Sequence, residues 1–353
     1  FLDKTDLVGV PRNLLTSFTQ SQQRYRVCLD HSTYSTILTH CDVAATRQRL
    51  FVVYHQRGGR TNVRILEEIL LLRARIARLL GYRHAMEFYA EVQMAGSADR
   101  VKAFFEFLRP QVRRKAESEW RQLTSAKRDH TGQRNSTLHA WDIAYYEERL
   151  RQQEYGVADE QVREFFPLER VLSGLFKVTE TIFDIRYEEV TQRADLFYLT
   201  RWHPEVRLYQ VTDGITGDRL GEVYFDLHPR RHKYGHAAKF SIRKRKHWSD
   251  GTLQTPLVAL VCNFPGSTNE RPSLLNHDQV VTLFHEFGHG LHHMLTQVDT
   301  GGVSGIDGVE WDAVELPSQF LENWCWEPEA LADISGHYET GEPLPQNLLD
   351  NML

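Results

Sequence analysis

Residues 285–289 read His-Glu-Phe-Gly-His, and no other stretch restricts the fold as much. Residues four apart share one face of an α-helix. His285 and His289 would then reach one tetrahedral Zn²⁺ together, with Glu286 beside them as a base. The flanking sequence supports a helix. Asn276 is placed to cap its start, Gln279 follows three residues later, and Asp278 suits the positive end of the helix dipole. Val280, Val281, Leu283, Phe284, Phe287, Leu291, Met294 and Leu295 give an apolar surface broad enough to require burial on most sides. Imidazoles and a carboxylate are costly there without partners, and a metal is the simplest partner.

A catalytic zinc takes a third protein ligand and keeps one position open. Cys325 is the only thiol close downstream, so a carboxylate on a second rigid element is expected. Asp299, Asp307, Glu310, Asp312, Glu315 and Glu322 all qualify, and spacing does not choose among them. Gly301, Gly302, Gly305 and Gly308 crowd the connector, which suits close approach to a peptide, a moving loop or simply tight turns. They do not form a phosphate loop, because they follow a long helix rather than a strand.

A chain of 353 residues can bury a sizeable core and is expected to form two or more lobes. Forty-two Lys plus Arg against 47 Asp plus Glu, a net charge of −5, argue against nucleic acid or a membrane surface as partner. The basic run 243–246 reads as a solvated loop or strand end. No apolar stretch approaches the ~20 residues of a membrane-spanning helix. The four cysteines, Cys28, Cys41, Cys262 and Cys325, are scattered without C-x-x-C pairing, as free thiols in a reducing cytosol would be. A cytoplasmic location is therefore expected.

Apolar periodicity predicts helices over residues 63–80, ended by Gly81, and over 101–108 and 112–123, which Pro110 should bend or divide. Residues 127–137 read as an exposed loop, 138–153 and 159–164 as helical, and 168–183 as an amphipathic helix. Near residue 195 the period changes. Residues 207–212 and 220–227 alternate around the turn 214–217 and predict a β-hairpin, and the apolar run 257–264 reads as a strand. The expected organisation is a helical lobe, 1–190, and a catalytic region, 191–353, with a small β-sheet ahead of the His285 helix. A small sheet there could hold an extended peptide by strand addition, whatever the peptide's sequence, or could be purely structural.

Residues 285–295, HEFGHGLHHML, and 308–327, GVEWDAVELPSQFLENWCWE, resemble the active-site signature of the thimet oligopeptidase family of zinc metallopeptidases, its bacterial branch in particular. Residues 141–146 (WDIAYY), 224–236 (YFDLHPRRHKYGH) and 257–264 (LVALVCNF) extend the likeness, which is recognisable from about Leu66 onward. Asp226, His228, Arg230 and His236 belong to it without an evident catalytic task. The resemblance implies a mainly α, helical zincin-type metallopeptidase with a small β-sheet beside the active-site helix. It also implies one Zn²⁺ per chain, held by His285, His289 and Glu315, the Glu that opens E-x-P-S-Q.

With Glu286 as base, such an enzyme hydrolyses short peptides as an endopeptidase, and a monomer is expected. A dipeptidyl carboxypeptidase and a zinc-binding, non-catalytic homologue are the alternatives. Asp312 and Glu322 are candidates for the carboxylates that orient the imidazoles. Family members are longer at both ends, so the chain is expected to be an internal piece of a larger enzyme. On this reading, a glycine- and tyrosine-rich segment that stabilises the reaction's tetrahedral intermediate lies outside it.

Overall fold

The computed structural model describes residues 1–21, 24–155, 159–192, 201–269 and 271–352. By contacts the chain divides into two compact units, Phe1–Gly156 and Val157–Leu353.

The first unit is helical: α1 (Arg12–Ser17), α2 (His31–His40), α3 (Ala44–His55), α4 (Gly59–Leu79), α5 (Ala85–Ala90), α6 (Ala98–Thr131) and α7 (Ile143–Tyr155), with a short ribbon of β1 (Thr19–Ser21) and β2 (Arg24–Arg26). Leu2, Leu7, Ile37, Leu38 and Leu50 build one core, and Leu123, Leu138, Tyr145 and Tyr146 a second. Asp142, fully buried, accepts from Arg47 at 2.7 Å and Lys127 at 2.6 Å. Each buried charge thus has a partner, without which burial would be strongly destabilising. Apolar side chains of α4 and α6, among them Leu66, Leu70, Phe104 and Phe107, remain exposed.

Pro110 does not divide α6. A proline inside a helix removes one N–H and strands the carbonyl four residues earlier. Here that residue, Glu106, and all of 109–122 are exposed, so water satisfies what the ladder loses. The helix also runs into the expected loop 127–137, stopping at Thr131 where Gly132 turns left-handed at φ 67°.

In the second unit, α8 (Asp159–Arg163) and α9 (Leu168–Phe183) lead into β3 (Ile185–Glu189), β4 (Arg207–Asp213), β5 (Arg219–Asp226), β6 (Ala238–Arg243), β7 (Lys246–His247), β8 (Leu253–Gln254) and β9 (Leu257–Val261). The helices α10 (His277–Met294), α11 (Leu316–Glu322), α12 (Pro328–Ile334) and α13 (Gln346–Met352) follow. The main sheet has the order β3-β4-β5-β9-β6, with β5 and β9 parallel and the other pairs antiparallel. Its β4–β5 pair is the expected hairpin. The change of period near residue 195 falls within 193–200, outside the described residues.

β9 is buried at every position, which is why its sequence does not alternate. Val258 and Leu260 join Val223, Phe225, α9 and α10 in the main core, whereas Leu257, Ala259 and Val261 pack with Val206, Leu208 and Tyr224 on the other face. The division of the chain differs here from the sequence expectation of 1–190 and 191–353. Val171, Leu172, Leu175 and Val178 commit α9 to the core beneath α10, so the boundary falls before α9. Overall the protein is mainly helical with one small mixed sheet. Among the described residues, no helix is long and apolar enough to cross a membrane.

At the end of β5, Asp226 accepts from Arg230 at 2.6 and 2.7 Å, the Trp202 indole at 2.8 Å and Lys233 at 2.9 Å. Lys233 also donates to the carbonyls of Asp226, His228 and Cys262. Burial pushes the Asp226 carboxyl up, but its hydrogen bonds from Arg230, Trp202 and Lys233 outweigh this and hold it at about 2. Asp226, Trp202, Arg230 and Lys233 therefore form one hydrogen-bonded knot at the end of β5. A carboxyl depressed on folding stabilises above its unfolded value, near 4, and loses that contribution as pH falls through about 2. Urea unfolding should show about 2 kcal/mol of stability lost between pH 4 and 2. Asp226→Asn should remove most of that slope and, by stranding Lys233, cost about 3 kcal/mol at neutral pH.

Candidate active site

α10 begins as its sequence suggests. Asn276 Oδ1 accepts from the Gln279 amide at 2.9 Å, and Gln279 Oε1 accepts from the Asn276 amide at 3.0 Å, a reciprocal cap. Val280, Leu283, Phe284, Phe287, Leu291 and Met294 are all but fully buried, and the Phe287 ring stacks on Phe225 at 5.9 Å. Its far side lies against α11. A Cβ on Gly288 would stand 2.5 Å from the Pro317 carbonyl oxygen and 2.6 Å from Ser318 Cα, so only glycine permits this approach.

That approach delivers the third group. Glu315 is the residue before α11, and its Oε2 lies 3.2 Å from His285 Nε2 and 3.0 Å from His289 Nε2. Among the described residues, these three side chains form the one cluster whose donor atoms all lie within 4.8 Å of one another. The Glu315 side chain is 46 % exposed while that of His289 is 11 % exposed, so the cluster opens to solvent on the carboxylate side. Ser318 donates to Glu315 Oε2 at 2.8 Å. Burial pushes the Glu315 carboxyl up, but Ser318 and the two histidines bring it below its ordinary value.

His285 Nδ1 is 2.6 Å from Glu322 Oε1, on the same short helix as Ser318. With that N–H donated to Glu322, Nε2 turns its lone pair toward Glu315. Burial pushes His289 down, despite the pull of Glu315, and so favours its neutral form. Lone pairs of two imidazoles and one carboxylate then converge, which is unfavourable until a cation shares them. Two nitrogens and one oxygen are a donor set that zinc accepts, so the residues fit the metal.

Glu286 sits beside this cluster. Burial raises its carboxyl above the ordinary value, with His285 and the Lys239 amide and ammonium pulling it back. Lys239 belongs to β6, which among the described residues pairs on one side only, with β9.

Of the six carboxylates left open by spacing, Glu315 meets the histidines. Asp299 pairs with Arg245 at 2.6 Å and Asp307 with Lys244 at 3.0 Å. Glu322 stands behind His285, but the buried Nδ1 of His289 has no hydrogen-bond partner, so neither Asp312 nor Glu322 orients it. Sequence reasoning missed Ser318, whose place in E-x-P-S-Q was the available signal, and Lys239, which needed the strand register. The run 243–246 lies at the expected strand end, where Arg243 closes β6 and Lys246 opens β7, but its cations have partners that sequence did not reveal. Arg243 binds Glu222 at 2.6 Å, and Lys246 lies over the Trp248 ring at 3.6 Å.

The arrangement is a metal-competent His–His–Glu cluster with the Glu286 carboxylate alongside. The profile of Peptidase family M3 matches residues 37–353, and the chain belongs to that family. Oligopeptidase A of Salmonella typhimurium is 43% identical over 364 residues, covering 99% of this chain and 52% of that protein. The Escherichia coli protein of the same name is 42% identical, with the same coverage. Saccharolysin of Saccharomyces cerevisiae is 32% identical over 99% of this chain and 51% of its own length. The chain thus spans about half the length of the curated relatives it matches.

The Gly288 contact tests how tightly this geometry is set. Gly288→Ala should destabilise the protein by about 1–3 kcal/mol, since backbone atoms must move. Gly302→Ala, where a Cβ meets open space, should stay within about 0.5 kcal/mol. Equal midpoints in urea for the two variants would contradict the packing described.

Proposed function

We propose that the chain is the catalytic portion of a zinc endopeptidase, helical and of zincin type, that hydrolyses short peptides in the cytoplasm. The observation that carries this reading is the convergence of His285, His289 and Glu315 next to Glu286 and the open edge of β6. Family membership and the oligopeptidase names of the relatives support it. His285, His289 and Glu315 would hold one Zn²⁺. Bound there, the metal supplies a Lewis acid that polarises a carbonyl and eases deprotonation of water.

The chain's own residues do the rest. Glu286 takes the proton of the attacking water and passes it to the leaving amine. Its partly buried setting, which raises its carboxyl, makes it a stronger base than an exposed glutamate. Glu322 fixes the His285 tautomer, and Ser318 holds the Glu315 carboxylate in place. A peptide laid along β6 as an added strand gains backbone hydrogen bonds that do not depend on its side chains. That suits hydrolysis of many different short peptides.

Two measurements on the full-length protein test this. Elemental analysis should find about one zinc per chain, lost in His289→Ala and Glu315→Ala, with affinity lowered about 10–100-fold in Glu322→Ala. Absence of zinc after refolding with the metal supplied would refute the site. Glu286→Gln should keep the metal yet lose about 100-fold or more in turnover of a quenched-fluorescent peptide. Undiminished turnover in that variant would remove Glu286 from the chemistry.

A further inference from the structure

The register of β6 decides which of its side chains look toward the cluster. Lys239 stands opposite Leu260, and Ser241 opposite Val258. Directly opposed residues of an antiparallel pair share a face of the sheet. Leu260 Cδ2 and Val258 Cγ2 lie 3.6 and 3.8 Å from where a Cβ of Gly290 would be, so that face is the one against α10. Lys239 and Ser241 therefore project toward α10, and Phe240 to the opposite face. The Lys239 ammonium is within electrostatic reach of Glu286, His289, His292 and His293, all on α10.

The other cations of this stretch are engaged. Arg243 is bound to Glu222, Lys244 to Asp307 and Arg245 to Asp299, while Lys246 covers Trp248. Lys239 differs. Among the described residues it forms no ion pair and donates to the Ser241 hydroxyl at 3.0 Å. Burial pushes its ammonium below the ordinary value, and the more distant Asp307 and Glu286 only partly restore it. A half-buried cation without a close carboxylate, on the strand that would hold the substrate, is incomplete until an anion arrives.

We propose that Lys239 is a specificity residue that pairs with a carboxylate of the bound peptide when the peptide adds to β6. This rests on the peptidase reading above. The carboxylate belongs to the peptide residue opposite Lys239 or two positions along, because those positions share its face and lie within reach of a lysine. Its source is either an acidic side chain or the free C-terminus of a peptide that ends there. The second source would add a carboxypeptidase-like preference for chains ending just past the cleaved bond.

The test uses the full-length, zinc-loaded protein and peptides of about 8–10 residues, which an extended cleft accommodates at ~3.3 Å per residue. One arm exchanges Glu for Gln at successive positions around the cleavage point. The other exchanges a free C-terminus for an amide. Binding is read by fluorescence anisotropy in the Glu286→Gln background, and turnover in the protein with Glu286 intact. In one arm at least, the carboxylate peptide should bind about three- to tenfold tighter than its neutral counterpart, through KM rather than kcat. Lys239→Met should abolish the preference, and Lys239→Arg should retain most of it, with zinc content unchanged in both. The arm that responds identifies the source. An equal preference with lysine and methionine would overturn the role of Lys239 while leaving the peptidase reading intact. Failure of every peptide to bind or be hydrolysed by the protein with Glu286 intact would overturn both.

Discussion

α10 is held between β9 and α11, so close to α11 that no side chain fits between the two helices at Gly288. At Gly288 the backbone of α11 occupies the space a Cβ would need, and at Gly290 a Cβ would meet the methyl groups of Leu260 and Val258 at ordinary contact distance. Each glycine inside a helix costs about 0.5–1 kcal/mol relative to alanine. The pentapeptide accepts that cost at Gly288 because the closeness of α11 requires it. Only with α11 this close does a residue at its start reach both imidazoles, and only with β9 this close does the neighbouring β6 come alongside Glu286.

The polar groups of the cluster follow from the same closeness. Ser318, fully buried between the helices, donates to Glu315, and Glu322, one turn further on, reaches His285. α11 therefore supplies a candidate ligand, the hydroxyl that steadies it and the carboxylate behind one imidazole, all within eight residues (315–322). Any displacement of α11 disturbs all three together. Burial of His289 disfavours its charged form, which is also what metal coordination requires.

Elements defined by local pattern were legible in the sequence. Asn276 and Gln279 capped α10 as read, and α9 spans Leu168–Phe183 as its amphipathic period predicts. The hairpin of β4 and β5 announced itself through its alternation and turn. What failed depended on solvent or on distant partners. Of the two outcomes expected at Pro110, division does not occur, because the carbonyl it strands is exposed to water. The third carboxylate could not be singled out by spacing, because the connector between α10 and α11 is irregular. Its competitors Asp299 and Asp307 are claimed by Arg245 and Lys244, which spacing does not reveal. The family resemblance supplied Glu315 where counting residues did not.

The basic run after β6 shows how a surface feature acquires a structural task. Its pairs to Asp299 and Asp307 are partly exposed, and such pairs are individually worth about 1 kcal/mol or less. Their value lies in where they attach. Both acids belong to the connector that leads from α10 to Glu315, and the His293 ring of α10 meets the Arg243 carbonyl at 3.0 Å. The edge strand, α10 and the approach to Glu315 are thereby tied to one another on the side where a peptide would lie. A peptide strand added to β6 would find its position relative to Glu286 and the histidines already set. Weak bonds suffice for this, because they fix register while the apolar contacts of α10 supply the stability.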